Sequence, residues 1–384
     1  MKHTVFEIDN LQFYWRLKNS PEEKNIVPDF LSFTLAYDDK LGLFFQKPSK
    51  KILNALNEIY KEEYNIGNIQ EIFDWGTEYT QDFVDFMNSV LSRYDKEIKK
   101  ILEVGCGAGM LLEIFQNQGY RVIGIDPSAL TKIQGKKRGV KVIVDYYPSE
   151  KIKGKFDVVY HSDVLEHMSN PVKFLKENFD QLNEGGLVIL TVPDSSESIL
   201  SGDISMVYHQ HMNYFDKESL NSVLEAAGFS DIYVVKAKFG GSLNAYAMKN
   251  KKYTSKKISN SHESKLKNYI HKNKLIVKNI KKYVKEVQKN KKRTIGFYAP
   301  VRALPYIALL RISGEFRFFD DATKWHQKYL DGIPVKVENI EDLKRNPVTD
   351  IFIMSPTFGK EIEQKIKKYF RSGITVYKLI DFYK

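Results

Sequence analysis

One cysteine, Cys106, and three tryptophans are all that 384 residues contain of either type. A lone thiol excludes an intramolecular disulfide framework and any zinc site built on several cysteines, and it fits a reducing cytosol. No apolar run approaches the ~20 residues needed to span a bilayer. The opening Met1-Lys2-His3-Thr4-Val5-Phe6-Glu7 lacks the apolar stretch of a secretory signal. A cytoplasmic chain without a membrane partner is therefore expected. Acidic residues are outnumbered, 48 against 59 Lys and Arg, a formal charge of +11. Nucleic-acid binding is one outlet for that excess. Much of it, however, sits between Lys249 and Arg293, where Leu266, Tyr269, Ile270, Leu275, Ile276, Ile280, Tyr283, Val284 and Val287 are spaced as one apolar stripe among lysines. That pattern reads as a single solvated helix. A basic pocket for a diphosphate-bearing small molecule ranks next, and no nucleic-acid partner is expected.

Apolar residues at 42% and aromatics at 13% supply real cores, and the length implies two or three domains. The expected division is an N-terminal α+β module over 1–98, a central domain over 99–250, a connector helix over 251–293 and a smaller α/β domain over 294–384. Phe33–Tyr37 and Leu41–Phe45 flank the turn signal Asp38-Asp39-Lys40 and predict a hairpin. Residues 52–64 and 83–94 carry the spacing of amphipathic helices. From Ile101 the chain alternates between buried-strand and helix patterns, with strands expected at 101–104, 121–126, 141–145, 156–160 and 187–192. Such alternation implies a mostly parallel, doubly wound sheet. Two later strands at 232–236 and 242–248 complete one edge. After Arg293 the alternation resumes at 294–298, 316–319, 350–354 and 374–379.

Between the first central strand and its helix lies Glu103-Val104-Gly105-Cys106-Gly107-Ala108-Gly109. Glycines there allow a tight turn and let a ligand approach main-chain amides at the helix start. A dinucleotide site wants G-x-G-x-x-G, and here the third glycine comes one residue early. Asp126 ends the second strand about 20 residues on, where a carboxylate can accept both ribose hydroxyls, and Asp145 ends the third, near an adenine amino group. After the fourth strand comes His161-Ser162-Asp163-Val164-Leu165-Glu166-His167, and Asn183-Glu184-Gly185-Gly186 precedes the fifth. Taken in order, these motifs resemble class I methyltransferases. The resemblance implies a Rossmann-like domain binding S-adenosylmethionine, with Glu103, Gly105, Cys106, Gly107, Gly109, Asp126, Asp145, His161 and Ser162 on the cofactor side.

Tyr208-His209-Gln210-His211-Met212-Asn213-Tyr214-Phe215 is similar to a segment of the nucleotide-deoxysugar C-methyltransferases, and Phe319-Asp320-Asp321 and Leu330-Asp331-Gly332-Ile333-Pro334 resemble landmarks of their second domain. This resemblance implies a nucleotide-sugar substrate and catalytic roles at His211, His209, Gln210, His167 and Tyr79, with Tyr208, Tyr214 and Arg302 contacting substrate. Two positions depart from that family. Asp38 and Leu41 stand where its zinc-binding module has cysteines, so the module is degenerate, and Gln210 stands where it has glutamate. Gln cannot take a proton, whereas a histidine with a pKa near ~6.5 can at neutral pH. The reading therefore favours O-methylation of a nucleotide-activated sugar with His211 as general base. C-methylation of a 4-keto-deoxysugar is the alternative, followed by a nucleic-acid methyltransferase or a non-catalytic scaffold. No metal is expected, and the chain is read as a monomer or homodimer.

Overall fold

The computed structural model describes residues 2–14, 16–62, 76–250, 262–370 and 373–383. β1 (Lys2–Gln12), β2 (Phe30–Asp38) and β3 (Leu43–Gln46) form an antiparallel sheet. The expected hairpin is its β2–β3 pair, with Tyr37 opposite Phe44. α1 (Lys50–Glu62) and α2 (Gly76–Leu91) follow; positions 63–64, where the first expected helix was to end, lie outside the described residues.

The central sheet then builds from largely buried apolar runs, as strands covered on both faces do. β4 (Ile101–Val104), α3 (Met110–Asn117), β5 (Val122–Asp126), α4 (Ala129–Arg138), β6 (Val142–Val144), β7 (Phe156–Ser162), α5 (Pro171–Gln181) and β8 (Leu182–Pro193) come first. α6 (Ser196–Ser201), β9 (Asn213–Tyr214) and α7 (Lys217–Ala226) follow, and β10 (Ser230–Lys236) and β11 (Ser242–Met248) complete the sheet. The strand order is β10-β11-β8-β7-β4-β5-β6. β8 through β6 run parallel, and β11 and β10 close the edge antiparallel. The order reverses between β4 and β7, so the crevice at their carboxyl ends is where a doubly wound sheet takes a ligand. Phe174, Leu175, Leu220 and Val223 from α5 and α7 cover one face, while Phe83, Met87, Leu112 and Phe115 from α2 and α3 cover the other.

β9 pairs with β3 rather than with its own neighbours, so the N-terminal sheet is finished by a strand from the central stretch. α8 (Glu263–Lys289) buries Leu266, Tyr269, Ile276, Ile280, Val284 and Val287 of the expected stripe. Its first turns pack on the N-terminal sheet and its later turns on the C-terminal unit. Much of the stripe is thus spent inside the chain; positions 251–261 of the expected connector helix lie outside the described residues. β12 (Ile295–Tyr298), α9 (Pro300–Leu310), β13 (Phe316–Phe319), β14 (Val337–Glu338), β15 (Asp350–Ile353), α10 (Gly359–Tyr369) and β16 (Thr375–Lys378) form a second parallel sheet, ordered β14-β13-β12-β15-β16. The buried Lys18 ties this unit to the N-terminal one, with its Nζ 2.7 Å from Asp29 and 3.8 Å from Asp331. Among the described residues no helix is long and apolar enough to cross a membrane.

Candidate active site

The loop between β4 and α3 turns on Gly105, Gly107 and Gly109, whose φ values of 74°, 48° and 79° suit only glycine without strain. A Cβ at Gly105 would lie 2.6 Å from Val164 Cγ2, so the loop rests directly on the segment that follows β7. Gly105 and Cys106 donate their amides to the Ile125 carbonyl, Gly107 to Asp126 Oδ2 at 3.0 Å, and Gly109 to the Cys106 carbonyl. This corrects the expectation that those amides face a ligand: the loop folds back on the end of β5 and uses them itself. Two neighbours on the expected cofactor list are also corrected. The Cys106 thiol turns into the core beneath Gly124, where burial pushes its pKa up. The Glu103 carboxyl is buried and accepts the Tyr160 hydroxyl at 2.8 Å, so it braces the sheet under the loop.

Asp126 stands at the tip of β5 as expected. Its Oδ1 accepts Ser128 N and Thr131 Oγ1; burial raises its pKa, opposed by the Ser128 and Gly107 amides. Asp145 is half-buried, bonded to Ser149 and Tyr146 and 3.1 Å from Lys151, and the Ser149 and Lys151 contacts lower its pKa.

At the end of β7, alternation sends His161 and Tyr160 to opposite faces. His161 is fully buried against Phe174, ring centroids 5.2 Å apart, and burial lowers its pKa to about 3. It is a core histidine under α5 and does not line the cofactor crevice, contrary to expectation. Ser162 donates to Asp163 Oδ2, and Tyr79 of α2 donates to Asp163 Oδ1 at 2.7 Å. Asp163 has φ 54° and a pKa raised to about 6 by burial. Tyr79 thus reaches the crevice by gripping a carboxylate that the sequence reading had not placed in the site.

The single 3-10 turn Leu165–His167 brings in a second missed carboxylate. Glu166 is 1% exposed, and neither of its carboxylate oxygens has a hydrogen-bond partner among the described residues. Burial pushes its pKa well up, and the nearby Asp163 adds to this. His167 points Nδ1 at the Gln210 carbonyl, 2.7 Å away, and Nε2 toward Glu166 Oε1 at 3.8 Å. Only a buried setting gives this Leu-Glu-His element its meaning, and the sequence shows the element without the setting.

Residues 208–211 make a tight turn closed by the His211 amide on the Tyr208 carbonyl. The turn places the side chains of Tyr208 and His211 together, their rings 4.1 Å apart and the hydroxyl bonded to His211 Nε2. His211 also meets His167 edge-on at 5.1 Å. Burial, then His167, then Arg302 from the start of α9 hold the His211 pKa well below the ordinary value, so the ring is neutral at pH 7. Two expected site residues do not reach the site. The turn sends His209 away from His211, stacked on Phe13 and bonded to Gln46. Tyr214 is buried in the N-terminal sheet, with its hydroxyl bracing the Tyr208 and His211 carbonyls. Gln210 contributes its main-chain carbonyl to His167. One donor atom each from Glu166, His167 and His211 lies within 4.8 Å of the others.

Residues 77–234 match the methyltransferase domain family. The ubiquinone biosynthesis O-methyltransferase of a Ruegeria species is 25% identical over 175 residues, covering 39% of this chain and 71% of that protein. That of Pseudomonas aeruginosa is 34% identical over 101 residues, 24% of this chain and 44% of that protein. A tRNA U34 carboxymethyltransferase of Alteromonas mediterranea is 27% identical over 224 residues, 53% of this chain and 65% of that protein. The chain thus spans less than half the length of the Pseudomonas relative and about two thirds of the other two. A solved S-adenosylmethionine-dependent methyltransferase from Clostridium acetobutylicum aligns with 52% of this chain and 99% of its own, at 14% identity and a TM-score of 0.37. With the glycine turn, the reversal of strand order above it and the family match all falling in one stretch, the chain carries an S-adenosylmethionine-dependent methyltransferase domain over residues 77–234.

Proposed function

We propose that the chain transfers the methyl group of S-adenosylmethionine to a hydroxyl of a nucleotide-activated sugar, with His211 as general base. The observation that carries this reading is the neutral, buried His211, oriented by Tyr208 and set beside the segment on which the glycine loop rests. His211 takes the hydroxyl proton, the oxygen attacks the methyl carbon, and the carbon–sulfur bond breaks to leave a neutral thioether. A base within hydrogen-bond reach and in-line alignment account for catalysis of this kind. Asp126 is assigned to the ribose of the donor, and Asp145 to the neighbourhood of its adenine. Two of the relatives carry O-methyltransferase names, which supports oxygen as acceptor. The likeness of Tyr208–Phe215 and of the C-terminal unit to deoxysugar enzymes supports a nucleotide sugar, and Arg302 is suited to its phosphates. The test is a panel of GDP-, dTDP-, UDP- and CDP-sugars with the methyl donor, read by mass spectrometry. A product 14 mass units (~14 Da, one CH₂) heavier than one of them is expected, and none across the panel refutes the substrate class.

One observation favours C-methylation as a second reading. Abstracting a proton beside a ketone benefits from a carboxylate–histidine pair, and Glu166 with His167 supplies the carboxylate that Gln210 lacks. Proton NMR of the product separates an O-methyl singlet from a C-methyl group.

A further inference from the structure

Glu166 raises a question that methyl transfer leaves open. A carboxylate that is 1% exposed, with both oxygens lacking a partner among the described residues, is costly unless something occupies the space before it. We propose that Glu166, His167 and His211 form a binding site for a divalent transition metal of the zinc or cobalt type, and that occupancy blocks methyl transfer by engaging His211. The second half rests on the reading of His211 as base; the first half does not.

The donor atoms lie within 4.8 Å of one another. Bonds of about 2.0–2.2 Å to a tetrahedral ion put ligand atoms roughly 3.4 Å apart, so small side-chain rotations close the set. His167 is already arranged as a ligand. Its Nδ1 faces the Gln210 carbonyl at 2.7 Å, the outer contact that fixes the ring of a metal-binding histidine, and Nε2 is directed at Glu166. Two imidazoles and one carboxylate select zinc, cobalt or nickel over magnesium or calcium, which prefer all-oxygen sets. Three protein ligands leave a position open on the acceptor side, and His167, with 16% of its side chain exposed, gives the ion a way in. The site is then a switch on the acceptor end alone, because the glycine loop and Asp126 contribute nothing to it.

The test uses the full chain, stripped with a chelator and titrated with Co²⁺ by visible absorption and with Zn²⁺ by calorimetry. One equivalent is expected to bind with the absorption of a tetrahedral or five-coordinate ion. Glu166→Gln and His167→Gln are each expected to weaken binding at least tenfold, with melting curves and S-adenosylmethionine titrations confirming that both variants fold. Thioether product is expected to fall in step with Zn²⁺ occupancy while donor affinity stays constant. Absence of saturable binding, or binding unchanged in Glu166→Gln, overturns the site. Turnover that rises with occupancy overturns the competition with the proton. If no sugar nucleotide is methylated by the metal-free chain, the proposed function fails while the cobalt titration still reports on the site.

Discussion

In the glycine loop the amides of Gly105, Cys106, Gly107 and Gly109 are all bonded within the protein, whereas across the crevice neither oxygen of Glu166 has a hydrogen-bond partner among the described residues. On the proposed reading the donor end is a scaffold whose loop amides are satisfied within the protein. The acceptor end carries desolvated polar groups whose cost is relieved only when something binds. A lesion in the first should therefore appear in donor affinity and stability, and a lesion in the second in turnover.

The sharpest test of this contrast is His211→Ala. Thioether formation is expected to fall about 10²- to 10⁴-fold, the usual worth of a general base, with donor affinity measured by calorimetry held within about twofold. Near-full turnover would remove His211 from the mechanism. Gly105→Ala probes the opposite end. Its φ of 74° and the 2.6 Å approach to Val164 predict a loss of roughly 1–3 kcal/mol in stability and weaker donor binding. Adding Val164→Ala should return part of the melting temperature, and no recovery would show that backbone strain dominates. Tyr208→Phe removes the hydroxyl that orients His211 and is expected to cost about tenfold in turnover.

The pH profile sharpens the acceptor end further. Because burial lowers the His211 pKa, the neutral base persists below the ordinary histidine range, so the acid limb of kcat/KM is expected below pH ~6.5. A limb centred above pH 7 would contradict this. The smallest effect concerns His161, which unfolding releases from about 3 to an ordinary value. The unfolded chain then takes up a proton first, so the stability this neutral ring contributes is complete above pH ~6.5 and drains away as pH falls toward 3. The loss is about 2 kcal/mol by pH 5. His161→Phe should flatten the fall in melting temperature between pH 7 and 5, and an unaltered slope would mean that other groups set it.

The central parallel strands were legible because buried parallel strands are short, continuous apolar runs, and 101–104 lies where its composition put it. β1 was not, because register shifts between Thr4 and Phe6 and between Ile8 and Leu11 break the two-residue alternation that announces a strand. In the site, the glycine spacing and Asp126 gave the location, while the roles of individual atoms depended on which way each side chain turned. His209 and His211 are the plainest case, since a turn and an extended segment read alike in four letters but send alternate side chains to different places. Glu166 escaped for a related reason: nothing in its neighbours' identity announces that its carboxylate is buried with no hydrogen-bond partner among the described residues.

The two-residue strand β9 begins only two positions after His211 and is hydrogen-bonded to β3. The reactive turn is consequently hung from the amino-terminal sheet, with Gln46 holding the carbonyls of His209 and His211. On the proposed function, donor chemistry is written into one stretch of the polypeptide, while the pose of the acceptor is inherited from the sheet that residues 2–46 build. Variation in that opening segment can retune which molecule is methylated while the methyl source stays fixed.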